Sequence, residues 1–308
     1  MSCKHNIQVL AFITQPEYNH IKQLMDLCCM EDKINLKLEL EYKLHLSSLA
    51  ADHSELSSHH KREFLYYIGD ELASYLGISC FDGVTGELCG MTHPKYRNQG
   101  LFHRLLALAQ NECRYSDFKR LLILADGSST SGMSFLKANS VSYAHSEYRM
   151  KRLSGKTTSK EAYTQEACKS ITLRPACKED EREIARLNAI LFDEKELVDE
   201  TGEYKVTPLE DQPENYKTYM IEHNGRSIGK INVEYGLQYA FVCGFGILPE
   251  YRGKGFGRIG LTETLRLIET QDVTVIELDV VCTNENALGL YQSCGFIEQS
   301  VMNYYNLV

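Results

Sequence analysis

The sequence predicts an α/β protein with mixed sheets, arranged as two tandem domains, and three observations carry that reading. Short apolar or β-branched runs alternate with stretches of helical periodicity along nearly the whole chain. A seven-residue pattern, P-x-Y-R-x-x-G, stands at Pro94–Gly100 and returns at Pro249–Gly255, each time ahead of a helix. Its spacing of 155 residues is too long for a solenoid unit and fits a repeat of whole domains. Between the copies, residues 154–169 are polar with little apolar periodicity, which marks a linker. The expected domains are therefore 1–153 and 170–308.

In the first domain, Ile7–Ile13 reads as a strand and Pro16–Met30 as an amphipathic helix. Ile34–Leu44 alternates as a strand does, although its Leu, Glu and Lys content also permits a helix. Phe64–Ile68 and Glu71–Phe81 form a hairpin about Gly69-Asp70. The strand Glu87–Thr92 leads into the first copy of the pattern. Leu101, Leu105 and Leu108 then mark a helix, Leu121–Ala125 a buried strand and Ser142–Leu153 a closing strand. The second domain opens with strand Ile171–Arg174 and helix Glu179–Phe192. Strands Tyr216–Glu222 and Ser227–Tyr235 flank the turn Asn224-Gly225, and a further strand ends at Pro249. After the second copy and its helix come strand Val273–Cys282, helix Asn284–Gln292 and a last strand near Phe296–Tyr305. Gly295 stands where a helix stop is needed.

Bulk properties narrow the function. No stretch of the 308 residues approaches the roughly 18 apolar residues of a membrane span. Ile7–Ile13 is too short for a signal core and ends at Gln15-Pro16. Eleven cysteines without C-x-x-C spacing then point to reduced thiols in the cytoplasm, not to disulfides or a metal site. The net charge of −9 argues against nucleic acid as a partner. Residues 1–155 are balanced, with 17 basic and 17 acidic side chains, so the second domain carries the excess. It is densest over Lys178–Asp211, with Glu179, Asp180, Glu181, Glu183, Asp193, Glu194, Glu196, Asp199 and Glu200. Such a stretch is either a pair of solvated helices or a field that draws in a cationic amine.

The chemistry centres on Gly244–Thr270, which reads as strand, glycine loop and helix. Gly253, Gly255 and Gly257 admit a close anion and positive φ, while Arg252 and Lys254 add positive charge. A pyrophosphate suits this loop best. The string Gly255–Gly260 also matches the dinucleotide pattern G-x-G-x-x-G, with Asp279 downstream. Against that, Pro249–Arg252 intervene after the strand, and too little chain follows for a complete nucleotide-binding sheet.

Arg252–Gly257 resembles the R/Q-x-x-G-x-G/A signature of the GNAT superfamily of N-acetyltransferases, and Ile247–Tyr251 resembles that family's strand end. Downstream, Asn284–Tyr291 with Gly295-Phe296 is similar to the family's closing element. The resemblance implies that Arg252, Gly253, Lys254, Gly255, Phe256 and Gly257 hold the pyrophosphate of acetyl-CoA. It further implies that backbone groups near Ile247 and Leu248 polarise the thioester, that Asn284 contacts the pantetheine arm or orders the strand end, and that Tyr291 is general acid to the sulfur. The base stays open: Glu234, Glu277 and Asp279 are available, but the strand Phe241–Phe245 lacks the carboxylate of many relatives, and its Cys243 reads as a buried thiol rather than as a nucleophile for a covalent route.

The first domain matches in part. Arg97 and Gly100 remain, but Asn98 and Gln99 replace Gly and Lys, and Phe102 stands for the last small residue. Setting Phe135 opposite Tyr291 puts Ser128 opposite Asn284 and Asn139-Ser140 opposite Gly295-Phe296, so the acid is missing; Glu87 lies on the strand before the loop. The expectation is a degenerate domain followed by a catalytic one that moves acetyl to a small cationic primary amine in a ternary complex. A non-catalytic acyl-CoA-binding or regulatory module is the alternative.

Overall fold

Runs such as Phe64–Ile68 and Val275–Val281 place β-branched and aromatic residues where sheets need them, and both halves of the chain are built on such strands. The computed structural model describes residues 4–52, 60–139, 141–155, 171–192, 198 and 202–307. The chain divides into two units: Met1–Ser146 with Ser300–Val308, and Glu147–Gln299.

Unit 1 contains β1 (His5–Leu10), α1 (Gln15–Asp32), α2 (Leu40–Asp52), β2 (Glu63–Ile68), β3 (Glu71–Ser79), β4 (Thr85–Thr92), α3 (Leu101–Cys113), β5 (Arg120–Asp126) and α4 (Thr130–Ala138). The strands follow in spatial order, antiparallel except for the parallel pair β4–β5. One core gathers α1 residues Ile21 and Leu24 against Leu65 and Tyr75; the other gathers α3 residues Leu101 and Leu105 against Phe64 and Leu76. The alternation at Ile34–Leu44 does not become a strand. Glu39 turns left-handed at φ +54, and helix α2 starts at Leu40. That turn lets Leu38 and Leu40 enter the same core.

Unit 2 contains β7 (Ile171–Pro175), α5 (Glu181–Leu191), β8 (Tyr216–His223), β9 (Arg226–Gly236), β10 (Tyr239–Ile247), α6 (Phe256–Glu269), β11 (Val275–Val281) and α7 (Glu285–Ser293). Here β10 and β11 are the parallel pair, joined through α6 as a parallel connection requires. The main core packs Ile259, Leu265 and Ile268 of α6 on Ile231, Val233 and Val242, while α5 adds a smaller cluster through Ile184 and Leu187.

Chain order and unit membership part company at the ends. Strand β6 (Ser142–Leu153) gives its second half, residues 147–153, to β11 of unit 2. Strand β12 (Ile297–Asn306) gives residues 302–306 to β5 of unit 1. The boundaries expected at 153 and 170 follow the chain and miss this exchange. Of the expected linker 154–169, only Ser154 and Gly155 are among the described residues. Arg152 secures the borrowed strand: its Nε donates to the Cys294 carbonyl at 3.0 Å and its Nη1 to Glu269 at 2.6 Å, with the side chain only 2% exposed. The Arg152→Ala variant removes both bonds and a packed side chain and should destabilise unit 2 by about 1–3 kcal/mol, read as an earlier urea midpoint.

Candidate functional site

Strand β10 is held on both sides only over its first half. Its parallel pairing with β11 runs from Tyr239↔Val275 to Val242↔Leu278 and then stops, although both strands continue. On the other side, the register with β9 slips by one residue between Cys243 and Gly246, a bulge at which Gly244 adopts φ +51. The parted end therefore offers backbone groups that no neighbouring strand pairs.

Which groups are offered follows from strand geometry. The Leu248 amide donates to Ile228 O at 2.8 Å, on the β9 side. Leu248 is therefore engaged, which corrects the expectation that its backbone is open to a substrate. The Ile247 carbonyl points away from β9 and accepts Arg252 Nε at 2.8 Å. A residue's N–H and C=O share a direction in a strand, so the Ile247 amide faces the gap.

The glycine loop leaves open space at the start of a helix. Gly253 (φ +74) and Gly255 (φ +83) take conformations that favour glycine, and a Cβ on either would meet nothing within 4 Å. Helix α6 starts directly after Gly255, so its first amides point into that open space. Phe256 is buried against His223 and Tyr251; it anchors the loop and can offer only its backbone. Lys254 folds back on the Glu250 carbonyl at 2.9 Å, and both it and Arg252 are exposed. At Gly257, a Cβ would lie 3.6 Å from Ile247 and 3.7 Å from both Leu290 and Phe245.

Tyr291 of α7 comes to the same place. It is 8% exposed, and its ring lies 6.4 Å from Phe245 and 6.0 Å from Phe296. Burial, reinforced by the Cys294 and Cys243 thiols, pushes its phenol up to about 12, so it is a proton donor at neutral pH. Asn284 is the N-cap of α7, its Oδ1 accepting the Ala287 amide at 3.2 Å. Of the base candidates, Glu277 and Asp279 are both tied to Arg149, at 3.2 and 2.5 Å. Cys243 lies 3.5 Å from the Tyr216 hydroxyl, and Glu234 sits in register with Phe241 and Tyr216. The acidic stretch is equally committed where described. Arg174 grips Asp180 at 2.6 and 2.7 Å and holds its carboxyl well below the usual range; Glu183 pairs with Arg186, and Glu181 accepts the Leu209 amide. Asp193, Glu194, Glu196, Asp199 and Glu200 lie outside the described residues.

Sequence reasoning missed Lys230 and Asn232 of β9, both buried beside the bulge. Lys230 Nζ donates to the Gly244 carbonyl at 3.2 Å. Asn232 pairs in register with Cys243, and its Oδ1 is buried without a partner. An unmet buried acceptor costs about 1–3 kcal/mol, so its place in a folded protein asks for a reason. The available signal was the alternation Lys230, Asn232, Glu234 between apolar Ile231 and Val233, a polar row along one strand face.

Unit 1 repeats this framework with different side chains. Asn98 (φ +61) and Gly100 (φ +74) reproduce the turns of Gly253 and Gly255, and Arg97 Nε donates to Thr92 O as Arg252 does to Ile247 O. However, the Arg97 guanidinium is clamped by Asp32 at 2.9 and 2.6 Å. Helices α4 and α7 begin 155 residues apart with Ser129 and Asn284 as caps. This corrects the sequence alignment: Ser129, not Ser128, lies opposite Asn284, and Leu136, not Phe135, lies opposite Tyr291. The same spacing pairs Gly90 with Phe245 and Phe102 with Gly257. A ring from the helix covers a glycine on the strand in unit 1, 2.9 Å from its would-be Cβ, whereas in unit 2 the ring stands on the strand and the helix is bare.

A model described as Acetyltransferase (GNAT) family matches residues 184–296, which include the parted strand, the loop and Tyr291. Residues 184–296 belong to the GNAT acetyltransferase family. Over 95 residues the chain is 30% identical to a ribosomal-protein-alanine N-acetyltransferase of Escherichia coli, covering 30% of this chain. The match spans 64% of that relative's length. The whole fold is similar to a GCN5-related N-acetyltransferase from Sphaerobacter thermophilus, with a TM-score of 0.71 at 15% identity over 98% of this chain and 95% of that one. It is also similar to a tandem GNAT protein from the clavulanic acid biosynthesis pathway, with a TM-score of 0.68 at 14% identity over 99% and 98%. Both units thus have the GNAT fold.

The Tyr291 environment has a consequence for stability. Its phenol titrates near 12 in the folded protein and near 10 when unfolded, so its contribution is complete below pH 10 and fades as pH rises towards 12. Between those limits the wild type should lose on the order of 2 kcal/mol more than Tyr291→Phe, measured by urea unfolding at each pH.

Proposed function

We propose that unit 2 transfers an acetyl group from acetyl-CoA to a primary amine by direct attack in a ternary complex. The observation that carries this reading is the parted, bulged end of β10, flanked by an open glycine loop and a protonated Tyr291. Acetyl-CoA brings an activated thioester. The loop from Arg252 to Gly257, with the first amides of α6, holds its pyrophosphate. The open Cβ space at Gly253 and Gly255 fits that group. The Ile247 amide polarises the carbonyl, and Asn284 Nδ2 serves the pantetheine arm while its oxygen caps α7. As the N–C bond forms and the C–S bond breaks, Tyr291 protonates the departing sulfur, and the nitrogen's proton passes to water, which restores the phenol. Unit 1 serves as a degenerate partner with its own loop closed by Asp32 and Phe102.

For the acceptor we favour a small cationic amine. Ion pairing removes several acidic side chains from direct contact, but the excess negative charge of the second half persists as a field. A polypeptide α-amine is the second reading, favoured by the matched relative, which is named for acting on a ribosomal-protein alanine. The described cysteines form no disulfide, which fits a cytoplasmic site of action.

Thiol release from acetyl-CoA should be followed with spermidine and with a peptide that begins in alanine. The small-cation reading expects turnover of spermidine with a KM that rises with salt. Turnover of the peptide alone would favour the second reading. In either case Tyr291→Phe should lower kcat about 100-fold and leave acetyl-CoA affinity within a few-fold. An unchanged kcat would remove Tyr291 as the general acid, and acetyl-CoA binding with no turnover of any amine would support a non-catalytic acyl-CoA-binding or regulatory module instead.

A further inference from the structure

Asn232 sits on β9 between Cys243 and Thr218 in register, at the point where β10 begins to part. Its side chain neighbours that of Tyr216, whose hydroxyl lies 3.5 Å from Cys243 Sγ. The planar amide also presents its oxygen, Oδ1. That oxygen has no partner, on a residue only 7% exposed. The bulge is built around this side chain: a Cβ on Gly244 would lie 2.3 Å from Asn232 Nδ2.

Unit 1 shows what its own version of this position holds. Gly77 stands in the place of Asn232 and Glu63 in the place of Thr218, each pair 155 residues apart and each in register with the other. Into that space α2 inserts Lys43, whose Nζ lies 3.0 and 3.1 Å from the Glu63 oxygens, 3.2 Å from the Tyr75 hydroxyl and 2.2 Å from a would-be Gly77 Cβ. Unit 1 satisfies its buried acceptors there with an internal primary amine. In unit 2 no described group meets the Asn232 oxygen.

We propose that Asn232 Oδ1 is the docking atom for the acceptor amine, holding its nitrogen beside the β10 bulge for attack on the acetyl carbon. This deepens the acetyltransferase reading and rests on it. One N–H of the amine donates to Oδ1, which turns the nitrogen lone pair away from Asn232. A neutral amide suits this task better than a carboxylate, which would stabilise the protonated ammonium and so withhold the lone pair. The position therefore fits a site whose strand carries no glutamate base. In the transfer the nitrogen gains the acetyl carbon and loses one proton to water, while the sulfur leaves with the Tyr291 proton.

The test uses the full chain, with n-butylamine as a minimal primary-amine probe and calorimetric acetyl-CoA affinity as the control. Asn232→Leu should raise the KM for n-butylamine at least tenfold, with kcat and acetyl-CoA affinity within threefold of wild type. Asn232→Asp, which keeps an acceptor oxygen, should hold that KM within threefold but lower kcat at neutral pH, because its carboxylate retains the ammonium form. A wild-type KM in Asn232→Leu would overturn the assignment, as would equal losses in both variants accompanied by weaker coenzyme binding. Coenzyme binding by the wild type without turnover of n-butylamine would overturn it too, and leave the coenzyme site standing. Failure to bind acetyl-CoA at all would remove the reading beneath it.

Discussion

A strand that loses one neighbour must direct its backbone groups elsewhere, and β10 meets this condition after Val242. The consequences are local and specific. Arg252 reaches back to the Ile247 carbonyl, which fixes the loop to the strand end and leaves the adjacent amide facing the gap. The extra residue between Cys243 and Gly246 turns the strand, and Gly244 can follow it because no Cβ meets Asn232. The bulge, the loop and the tyrosine are separate in sequence, yet the parted pair of strands brings them to one place.

The two units show how one backbone supports different chemistry. Turn geometry, helix starts and the arginine-to-carbonyl bond recur in both. Unit 1 has no register slip along β4, so it lacks the bulge. Its arginine is paired with Asp32, its helix carries Phe102 and a leucine stands where Tyr291 does. Its buried acceptors are met by Lys43. Each difference fills or neutralises a group that unit 2 leaves open. Packing is preserved throughout, because Phe102 over Gly90 and Phe245 by Gly257 fill comparable space from opposite sides.

Much of this was legible in the chain. Glycine, proline and the alternation of apolar residues mark local conformation directly, so the loop, its helix and the tandem repeat could be read. The exchange of β6 and β12 could not, because strand pairing between distant segments leaves no trace in either one. Ile34–Leu44 misled because alternate leucines serve a left-handed turn into a core as well as they serve a strand. The alignment of Tyr291 slipped by one residue because Phe135 is aromatic, whereas the helix caps fix Leu136 as its counterpart. Asn232 was hidden because a buried, unmet amide is a property of the folded sheet. Leu248 was overassigned since only hydrogen-bond direction separates it from Ile247.

The central claim is that the open, bulged strand end of unit 2 is the one coenzyme site. Calorimetric stoichiometry of acetyl-CoA tests it most directly, on the wild type and on the double variant Phe245→Gly/Gly257→Phe. That variant reproduces the ring placement of unit 1 while keeping the packed volume. The account predicts one site per chain in the wild type and none in the folded double variant. Two sites in the wild type, or one that survives the exchange, would contradict it.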